Sequence, residues 1–253
     1  MQTKLQSISQ TNQLSIERLF RATETPDIIL VGSSLAEQLD FKDSHFCIYN
    51  MALGGDSALT GLSALARSGL IPKKVYIEIN VPERGINKDL IDKASGMLPK
   101  LSSVFYVENK PINLVYSWLL QITKHNGSGS EVNEVVRQNF IDLHRQNTSQ
   151  ALTFEVLTKS TAEYIALVND LESKGTKIIF FEMPIYPDLE KLPHIIQVRY
   201  AFKEAFPNNQ FIDYDHLSNG LIIRTRDGIH LTQDEAKNVV YVFKDYFKGL
   251  CNN

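Results

Sequence analysis

Short apolar runs alternate with apolar residues at helical spacing along most of this chain, and this alternation predicts an α/β fold. The first run, residues 28–31, is unbroken and ends at a glycine, as is typical of a parallel strand buried on both faces. Directly after Gly32 the apolar positions change to helical spacing, at Leu35 and Leu39. A glycine at this point allows the backbone to turn sharply from strand to helix.

The same alternation recurs along the chain and predicts four further strands, at residues 46–51, 74–80, 177–183 and 210–214. Helices are predicted at residues 14–22, 58–68, 151–173, 192–206 and from Thr232 onward, and the polar residues 1–13 are expected to be loose. Strands that alternate with helices over short connections indicate right-handed crossovers within one parallel sheet. We therefore predict a three-layer α/β/α sandwich with a flavodoxin-like five-stranded parallel sheet, in the strand order 2-1-3-4-5.

One region, residues 84–150, does not fit the alternation. It contains several glycines and prolines and two helix-like segments, at residues 112–122 and 132–143, but no repeated strand pattern. We therefore predict a single domain over residues 1–253, with residues 84–150 as a helical insertion or lid after the third strand.

Polar residues and glycines follow the first three predicted strands, where a buried strand has no structural need of them. In the predicted order the second and third strands flank the first, so Gly55 and Asn80 should approach Ser34 from either side. The backbone N–H groups of Ser34 and Gly55 and the side-chain amide of Asn80 would then converge on one point. Three such donors suit the oxyanion of an acyl-transfer reaction.

A serine nucleophile needs a base, and the candidate is the D-G-I-H segment at residues 227–230. A spacing of three lets Asp227 reach the Nδ1–H of His230 within a tight turn, which leaves Nε2 to take the serine proton. This arrangement requires that residues 215–230 cross back over the carboxyl edge of the sheet.

Four short blocks of this sequence resemble those of the SGNH (GDSL-type) hydrolase superfamily, which is named for a catalytic Ser, Gly, Asn and His. The sequence G-S-S-L at residues 32–35 resembles the first block and places the nucleophile at Ser34. The sequence N-M-A-L-G-G-D at residues 50–56 resembles the second block, with Gly55 as the oxyanion glycine.

The third and fourth blocks follow in the same order along the chain. The sequence E-I-N-V at residues 78–81 stands where the family has G-x-N-D, which gives Asn80. Asp227 and His230 match the last block, which supplies the remaining two members of the triad. The resemblance implies the predicted fold and a serine-type acyl site, and it covers most of the chain apart from the insertion.

Three positions depart from the family pattern. Ser33 replaces an aspartate, Glu78 replaces the glycine of the third block, and Val81 replaces its aspartate. A G-S-S first block resembles the members that modify cell-surface glycans, including acyl-transfer relatives. These departures leave the identity of the acyl group and of its acceptor open, and they bear less on the expected chemistry.

The sequence thus predicts a serine acyl hydrolase, or esterase, that acts on a small-molecule or glycan ester. One alternative is an O-acyl (acetyl) transferase or deacylase acting on a glycan, and another is a non-catalytic SGNH-like binding module. The S-L-A-E segment at residues 34–37 also has capping-box spacing, and this stretch alone favours Ser34 as a helix cap, since caps far outnumber nucleophiles. Only the combination of four blocks favours the acyl site.

Composition narrows the functional classes further. A net charge of −3 and a pI near 6.1, without a basic run, argue against a nucleic-acid partner. No apolar run approaches the ~20 residues that span a bilayer, so no membrane span is expected. The sequence leaves the oligomeric state and the compartment open.

No cofactor or metal is expected, although one metal alternative arises from three carboxylates near predicted strand ends, Glu78, Glu182 and Asp213. Arginines could neutralise these groups instead. Arg84, Tyr186 and Arg199 are candidates for lining a substrate pocket. Five further histidines lack ligand spacing and are expected to be incidental; they are His45, His125, His144, His194 and His216.

Overall fold

The computed structural model describes residues 8–41, 48–96, 134–218, 220 and 223–247 of the chain. The chain divides into two compact units. The smaller draws on residues 1–23 and 87–131, and the larger on residues 24–86 and 132–253. All of the predicted site residues belong to the larger unit.

Five strands form the sheet of the larger unit: β1 (Ile28–Gly32), β2 (Ile48–Ala52), β3 (Lys74–Glu78), β4 (Lys177–Phe181) and β5 (Gln210–Ile212). All neighbouring pairs are parallel, and the order is β2-β1-β3-β4-β5. The predicted strand order is therefore confirmed, and the arrangement is consistent with a three-layer α/β/α fold.

Helices occupy most of the remaining described chain. In the smaller unit they are α1 (Ile8–Arg21) and α4 (Lys88–Ser95). Those of the larger unit are α2 (Ser34–Glu37), α3 (Ala58–Ser68), α5 (Glu134–Thr148), α6 (Phe154–Ser173), α7 (Pro193–Ala205), α8 (Tyr214–Ser218) and α9 (Gln233–Phe247). Among the described residues, no helix has the length and apolar character to cross a membrane.

The central strands of the sheet are buried, with helices packed against both faces. Every residue of β1 is buried, as the unbroken apolar run predicts for a strand covered on both faces. Against one face of the sheet, the ring of Phe243 from α9 makes edge contacts with Tyr76 of β3 and Phe181 of β4. The neighbouring residue Phe180 points to the opposite face and packs against Phe202 of α7.

Several predicted boundaries need correction. Residues 8–13, which were expected to be loose, are the first turns of α1, and the polar residue Asn12 of this stretch is buried. The helix predicted at residues 132–143 is α5, which ends five residues later than predicted. Helix α4 was not predicted at all. The helix predicted at residues 112–122 lies outside the described residues, so the lid remains a prediction.

Candidate active site

The first predicted site residue lies in the turn between β1 and α2. Ser33 caps this helix, because its Oγ accepts a hydrogen bond from the backbone N–H of Leu35 at 3.2 Å. Ser34 is therefore the first residue of α2 rather than its cap. Its half-buried hydroxyl oxygen lies 2.9 Å from Nε2 of His230.

Asp227 and His230 lie together in one tight turn. Oδ1 of Asp227 accepts from the backbone N–H groups of Ile229 at 3.2 Å and His230 at 2.8 Å. Its other carboxylate oxygen, Oδ2, lies 2.7 Å from Nδ1 of His230. Because a carboxylate only accepts hydrogen bonds, this contact favours the histidine tautomer with its proton on Nδ1. Nε2 is then an acceptor facing the Ser34 hydroxyl.

The backbone around this turn holds it over the sheet. The backbone N–H of Tyr186, which follows β4, donates to the carbonyl oxygen of Gly228 at 2.8 Å. The N–H of Gly228 in turn donates to Oγ1 of Thr225 at 3.1 Å, and Thr225 pairs with Leu231 in an antiparallel bridge. The chain therefore does cross back to the carboxyl edge near β1, as the arrangement requires.

Gly228 is the residue that permits this turn. Its φ of 98° lies in the left-handed region that residues with a side chain rarely adopt. A Cβ at this position would also lie 3.0 Å from Cγ1 of Ile141 and 3.3 Å from Cδ1 of Leu189. Both backbone conformation and space therefore require glycine between Asp227 and His230.

The electrostatics of the pair favour an ionised aspartate. Burial by itself raises the pKa of the Asp227 carboxyl, but hydrogen bonds from the ring and backbone of His230, and attraction to its charge, outweigh burial. The pKa of Asp227 falls as a result to about 2. A carboxylate that stays charged near neutral pH can orient the imidazole and stabilise its protonated form.

Gly55 lies in the turn that follows β2, the strand beside β1. The backbone N–H of Leu53 donates to the carbonyl oxygen of Gly32 at 2.9 Å, which ties this turn to the end of β1. Gly55 has a φ of 71°, and a Cβ there would meet nothing within 4 Å. The glycine is thus required by its backbone conformation and not by crowding.

Asn80 follows β3 on the other side of β1, and its side chain is fixed by the chain that follows β4. Its Nδ2 donates to the carbonyl oxygen of Met183 at 2.9 Å, and its Oδ1 accepts from the N–H of Met183 at 2.7 Å. One of the two amide N–H groups is therefore used within the protein. The residue also lines the cavity described next, where its second N–H can serve a ligand.

A cavity of about 250 Å³ lies near the Ser34–His230 contact, although neither of these two residues lines it. It is bordered by Leu35 and Ile229, the immediate neighbours of these two residues in the sequence. Both apolar and polar side chains line its wall. The remaining lining residues are Asn80, Val81, Glu83, Arg84, His144, Asn147, Thr148, Ile185, Leu189, His194 and Ile195.

The residues that line the cavity differ in part from those predicted to line a substrate pocket. Arg84 lines it, as predicted, but Tyr186 and Arg199 do not. His144 and His194, which were expected to be incidental, do line it; burial lowers the pKa of His144. No spacing in the sequence could have found them, because they come from α5 and α7 and meet only in the folded chain.

The three carboxylates of the metal alternative do not form a cluster. Glu182 makes a bidentate ion pair with Arg199, whose Nε and Nη2 lie 2.8 and 2.7 Å from its two carboxylate oxygens. Asp213 pairs with Nζ of Lys203 at 2.8 Å. Glu78 accepts hydrogen bonds from Ser33 instead. Among the described residues, no group of three or more His, Cys, Asp or Glu side chains is arranged to hold a metal ion.

Three solved structures are similar to this chain in fold. A Streptococcus pneumonia protein, provisionally described as a platelet activating factor, is 15% identical over 94% of this chain and 92% of its own, with a TM-score of 0.51. TesA is 11% identical over 88% and 98%, with a TM-score of 0.44. A provisionally described acylhydrolase from Bacteroides fragilis is 13% identical over 100% and 99%, with a TM-score of 0.48.

No protein-family model and no curated protein matches the sequence. Identity as low as that of the solved structures speaks for a shared fold alone. That fold is consistent with the SGNH-type resemblance of the four sequence blocks.

The lowered pKa of Asp227 predicts a specific dependence of stability on pH. Because the pKa of Asp227 is about 2 in the folded protein, against 3.8 ordinarily, the ionised group stabilises the fold above about pH 4. This contribution is lost as the pH falls from about 4 towards 2. We expect Asp227→Asn to lower the free energy of unfolding at pH 5, by an amount that shrinks at pH 3, in urea denaturation.

The matched control is Asp234→Asn, since the Asp234 side chain is 93% exposed. It should change the free energy of unfolding little at either pH. A difference between wild type and Asp227→Asn that stays constant from pH 5 to pH 3 would contradict the described hydrogen bonding of Asp227.

Proposed function

We propose that this protein is a serine acyl hydrolase that cleaves a small ester through a covalent acyl-enzyme. The observation that carries the proposal is a continuous hydrogen-bonded chain of three side chains. It runs from Ser34 Oγ to His230 Nε2 at 2.9 Å and from His230 Nδ1 to Asp227 Oδ2 at 2.7 Å. Nucleophile, base and orienting carboxylate linked in this order are the arrangement that activates a serine.

In the first half of the reaction, Ser34 Oγ attacks the ester carbonyl carbon while His230 Nε2 takes the hydroxyl proton. The tetrahedral intermediate then collapses; its bond to the alcohol oxygen breaks, and His230 returns the proton to that oxygen. In the second half, His230 takes a proton from water, whose oxygen attacks the acyl carbon. The carboxylic acid leaves and the proton returns to Ser34.

Asp227 acts through His230 and does not touch the substrate. Its carboxylate holds the imidazole with Nε2 towards Ser34 and stabilises the positive charge that forms there during each half-reaction. The low pKa of Asp227 supports this role, since the group remains ionised throughout the neutral range.

The negative oxygen of the intermediate would be held by the backbone N–H groups of Ser34 and Gly55 and by the side-chain amide of Asn80. Two observations support this set. The turns after β1 and β2 are joined by the bond from Leu53 to Gly32, and Met183 fixes the amide of Asn80 in one orientation. Preorganised donors need no rearrangement during reaction, and each is worth roughly 3 kcal/mol of transition-state stabilisation.

The size of the cavity favours a small group on the substrate. At about 250 Å³ it lies below the ~300–1,000 Å³ of pockets that enclose drug-sized ligands. We propose that it takes a short acyl chain. Transfer of the acyl group to a glycan hydroxyl, the alternative, requires that water be kept from the acyl-enzyme. The segment that would supply this cover is the predicted insertion or lid at residues 84–150, and its residues 97–133 lie outside the described residues.

The first prediction from the proposed function concerns the nucleophile. A fluorophosphonate probe should add once to the wild type and not to Ser34→Ala, as seen by intact mass spectrometry, because only an activated serine attacks the probe. Ser34→Ala should also lose measurable hydrolysis of p-nitrophenyl acetate. The control is Ser173→Ala, at the exposed end of α6, which should be labelled like the wild type.

A folded wild type that takes up no probe would contradict this account. Such a result would instead favour the non-catalytic binding module. Labelling that persists in Ser34→Ala would place the reactive residue elsewhere.

The second prediction concerns the length of the acyl chain. Aryl acetate and butyrate should be cleaved with a kcat/KM at least ~10-fold above that of the palmitate ester, because a filled pocket excludes further methylenes. Ile195→Ala should shift the preference towards longer chains, since Ile195 lines the cavity. Ile196→Ala, next to it but 36% exposed and not part of the wall, should leave the preference unchanged. A wild-type preference for palmitate would contradict the small acyl site.

A further inference from the structure

A buried carboxylate lies against the turn that carries Ser34. Glu78, the last residue of β3, is only 2% exposed. Its Oε2 accepts from the backbone N–H of Ser33 at 2.8 Å, and its Oε1 accepts from the Ser33 hydroxyl at 2.8 Å. Neighbouring strand β3 thus binds the residue before Ser34, which is also the cap of α2.

Gly32 makes this close approach possible. A Cβ at residue 32 would lie 2.6 Å from Oε2 of Glu78 and 3.0 Å from its Cβ. The first distance is far inside van der Waals contact, so the turn accommodates the carboxylate only with glycine at this position. The two features, a glycine on β1 and a carboxylate on β3, are therefore complementary.

A buried carboxylate is costly for folding unless its charge is well compensated. Glu182 is compensated by a bidentate ion pair with Arg199. Glu78 accepts instead from the backbone N–H and the hydroxyl of Ser33, and these bonds act against the rise in its pKa that burial causes. An apolar side chain at the end of β3 would pack at lower cost. The chain instead places at residue 78 the one group that can accept several hydrogen bonds from this turn at once.

Ser33 connects this carboxylate to the helix. Its Oγ donates to Glu78 and at the same time accepts from the N–H of Leu35 as the cap of α2. Any shift of Glu78 must therefore be transmitted to the cap and to the start of the helix, where Ser34 is the first residue. The hydroxyl of Ser34 must meet His230 within hydrogen-bond distance, so small shifts of this turn matter.

We infer that Glu78, acting with Ser33, is a positioning residue for Ser34. The inference rests on the proposed function, because it concerns the position of the proposed nucleophile. It assigns no contact with substrate to either Glu78 or Ser33. The pair fixes the turn between β1 and α2 so that the Ser34 hydroxyl faces Nε2 of His230. Loss of the pair should therefore lower kcat and the rate of probe labelling and leave KM nearly unchanged.

The first test is Glu78→Gln. Glutamine fits the same space, but it is uncharged and has one accepting oxygen where the carboxylate has two, so the N–H and the hydroxyl of Ser33 no longer each have an acceptor oxygen of their own at 2.8 Å. We expect the rate of fluorophosphonate labelling, per folded molecule, to fall at least ~10-fold, towards the ~100-fold that a displacement of about 1 Å can cost. KM for the aryl acetate should change little.

Thr176→Val is the matched control for a lost buried hydrogen bond. Thr176 is 3% exposed and donates to the carbonyl oxygen of Pro72 at 2.9 Å, at the amino edge of the sheet, away from Ser34. Its thermal unfolding should shift, but its labelling rate per folded molecule should equal that of the wild type. Because the labelling rate is expressed per folded molecule, a general loss of stability would by itself slow the labelling of neither Glu78→Gln nor Thr176→Val.

The second test moves the carboxylate to the other member of the pair. Ser33→Asp alone places two carboxylates in contact, since Ser33 Oγ lies 2.8 and 3.1 Å from the two oxygens of Glu78, and it should slow labelling. Glu78→Ala alone leaves the donors of the turn unpaired and should slow it as well. The double variant Ser33→Asp/Glu78→Ala restores one carboxylate, which can cap Leu35 and should be labelled faster than either single variant.

The outcomes separate this inference from the proposed function. Slow labelling of Glu78→Gln, normal labelling of Thr176→Val and recovery in the double variant would support the positioning pair. If the wild type is labelled on Ser34 and Glu78→Gln is labelled equally fast, the pair has no positioning role and the proposed function stands. A folded double variant slower than both single variants would also overturn the pair. A wild type without labelling would overturn both claims together.

Discussion

The hydrogen bond between Ser34 and His230 joins two residues that are 196 positions apart in the sequence, and the candidate site depends on it. It forms only if β1 lies inside the sheet, between β2 and β3, and if the turn at residues 225–231 returns to the carboxyl end of β1. The parallel order of the strands provides the first condition. The bond from Tyr186 to Gly228, at 2.8 Å, provides the second, because it attaches the returning chain to the residues after β4.

Three buried polar side chains at the carboxyl edge of the sheet are held by partners on neighbouring segments. Glu78 is held by the Ser34 turn, Asn80 by Met183 and Glu182 by Arg199. These bonds link β1, β3, β4 and α7, so the edge where the site lies is cross-linked by side chains as well as by the sheet. A site on such a support needs little rearrangement when charge develops during a reaction.

The sequence was most informative about features formed by residues that are close together along the chain. The apolar runs predicted the strands, and their alternation with helices predicted the flavodoxin-like order that the sheet has. The D-G-I-H spacing predicted a turn in which Asp227 reaches its own histidine, as the 2.7 Å contact with His230 shows. It was least informative where partners come from distant segments. Nothing in the spacing indicates that Glu78 binds Ser33 or that His194 lines the cavity, because those contacts depend on tertiary packing.

The central claim is that Ser34 carries the acyl group during turnover. The most direct measurement is rapid acid quenching of the wild type during hydrolysis of a p-nitrophenyl ester, followed by peptide mapping with mass spectrometry. The account predicts the mass of one acyl group on the peptide that contains Ser34 and on no other peptide. An acyl group on a different residue, or turnover with no acylated peptide under conditions where hydrolysis of the acyl-enzyme limits the rate, would contradict it.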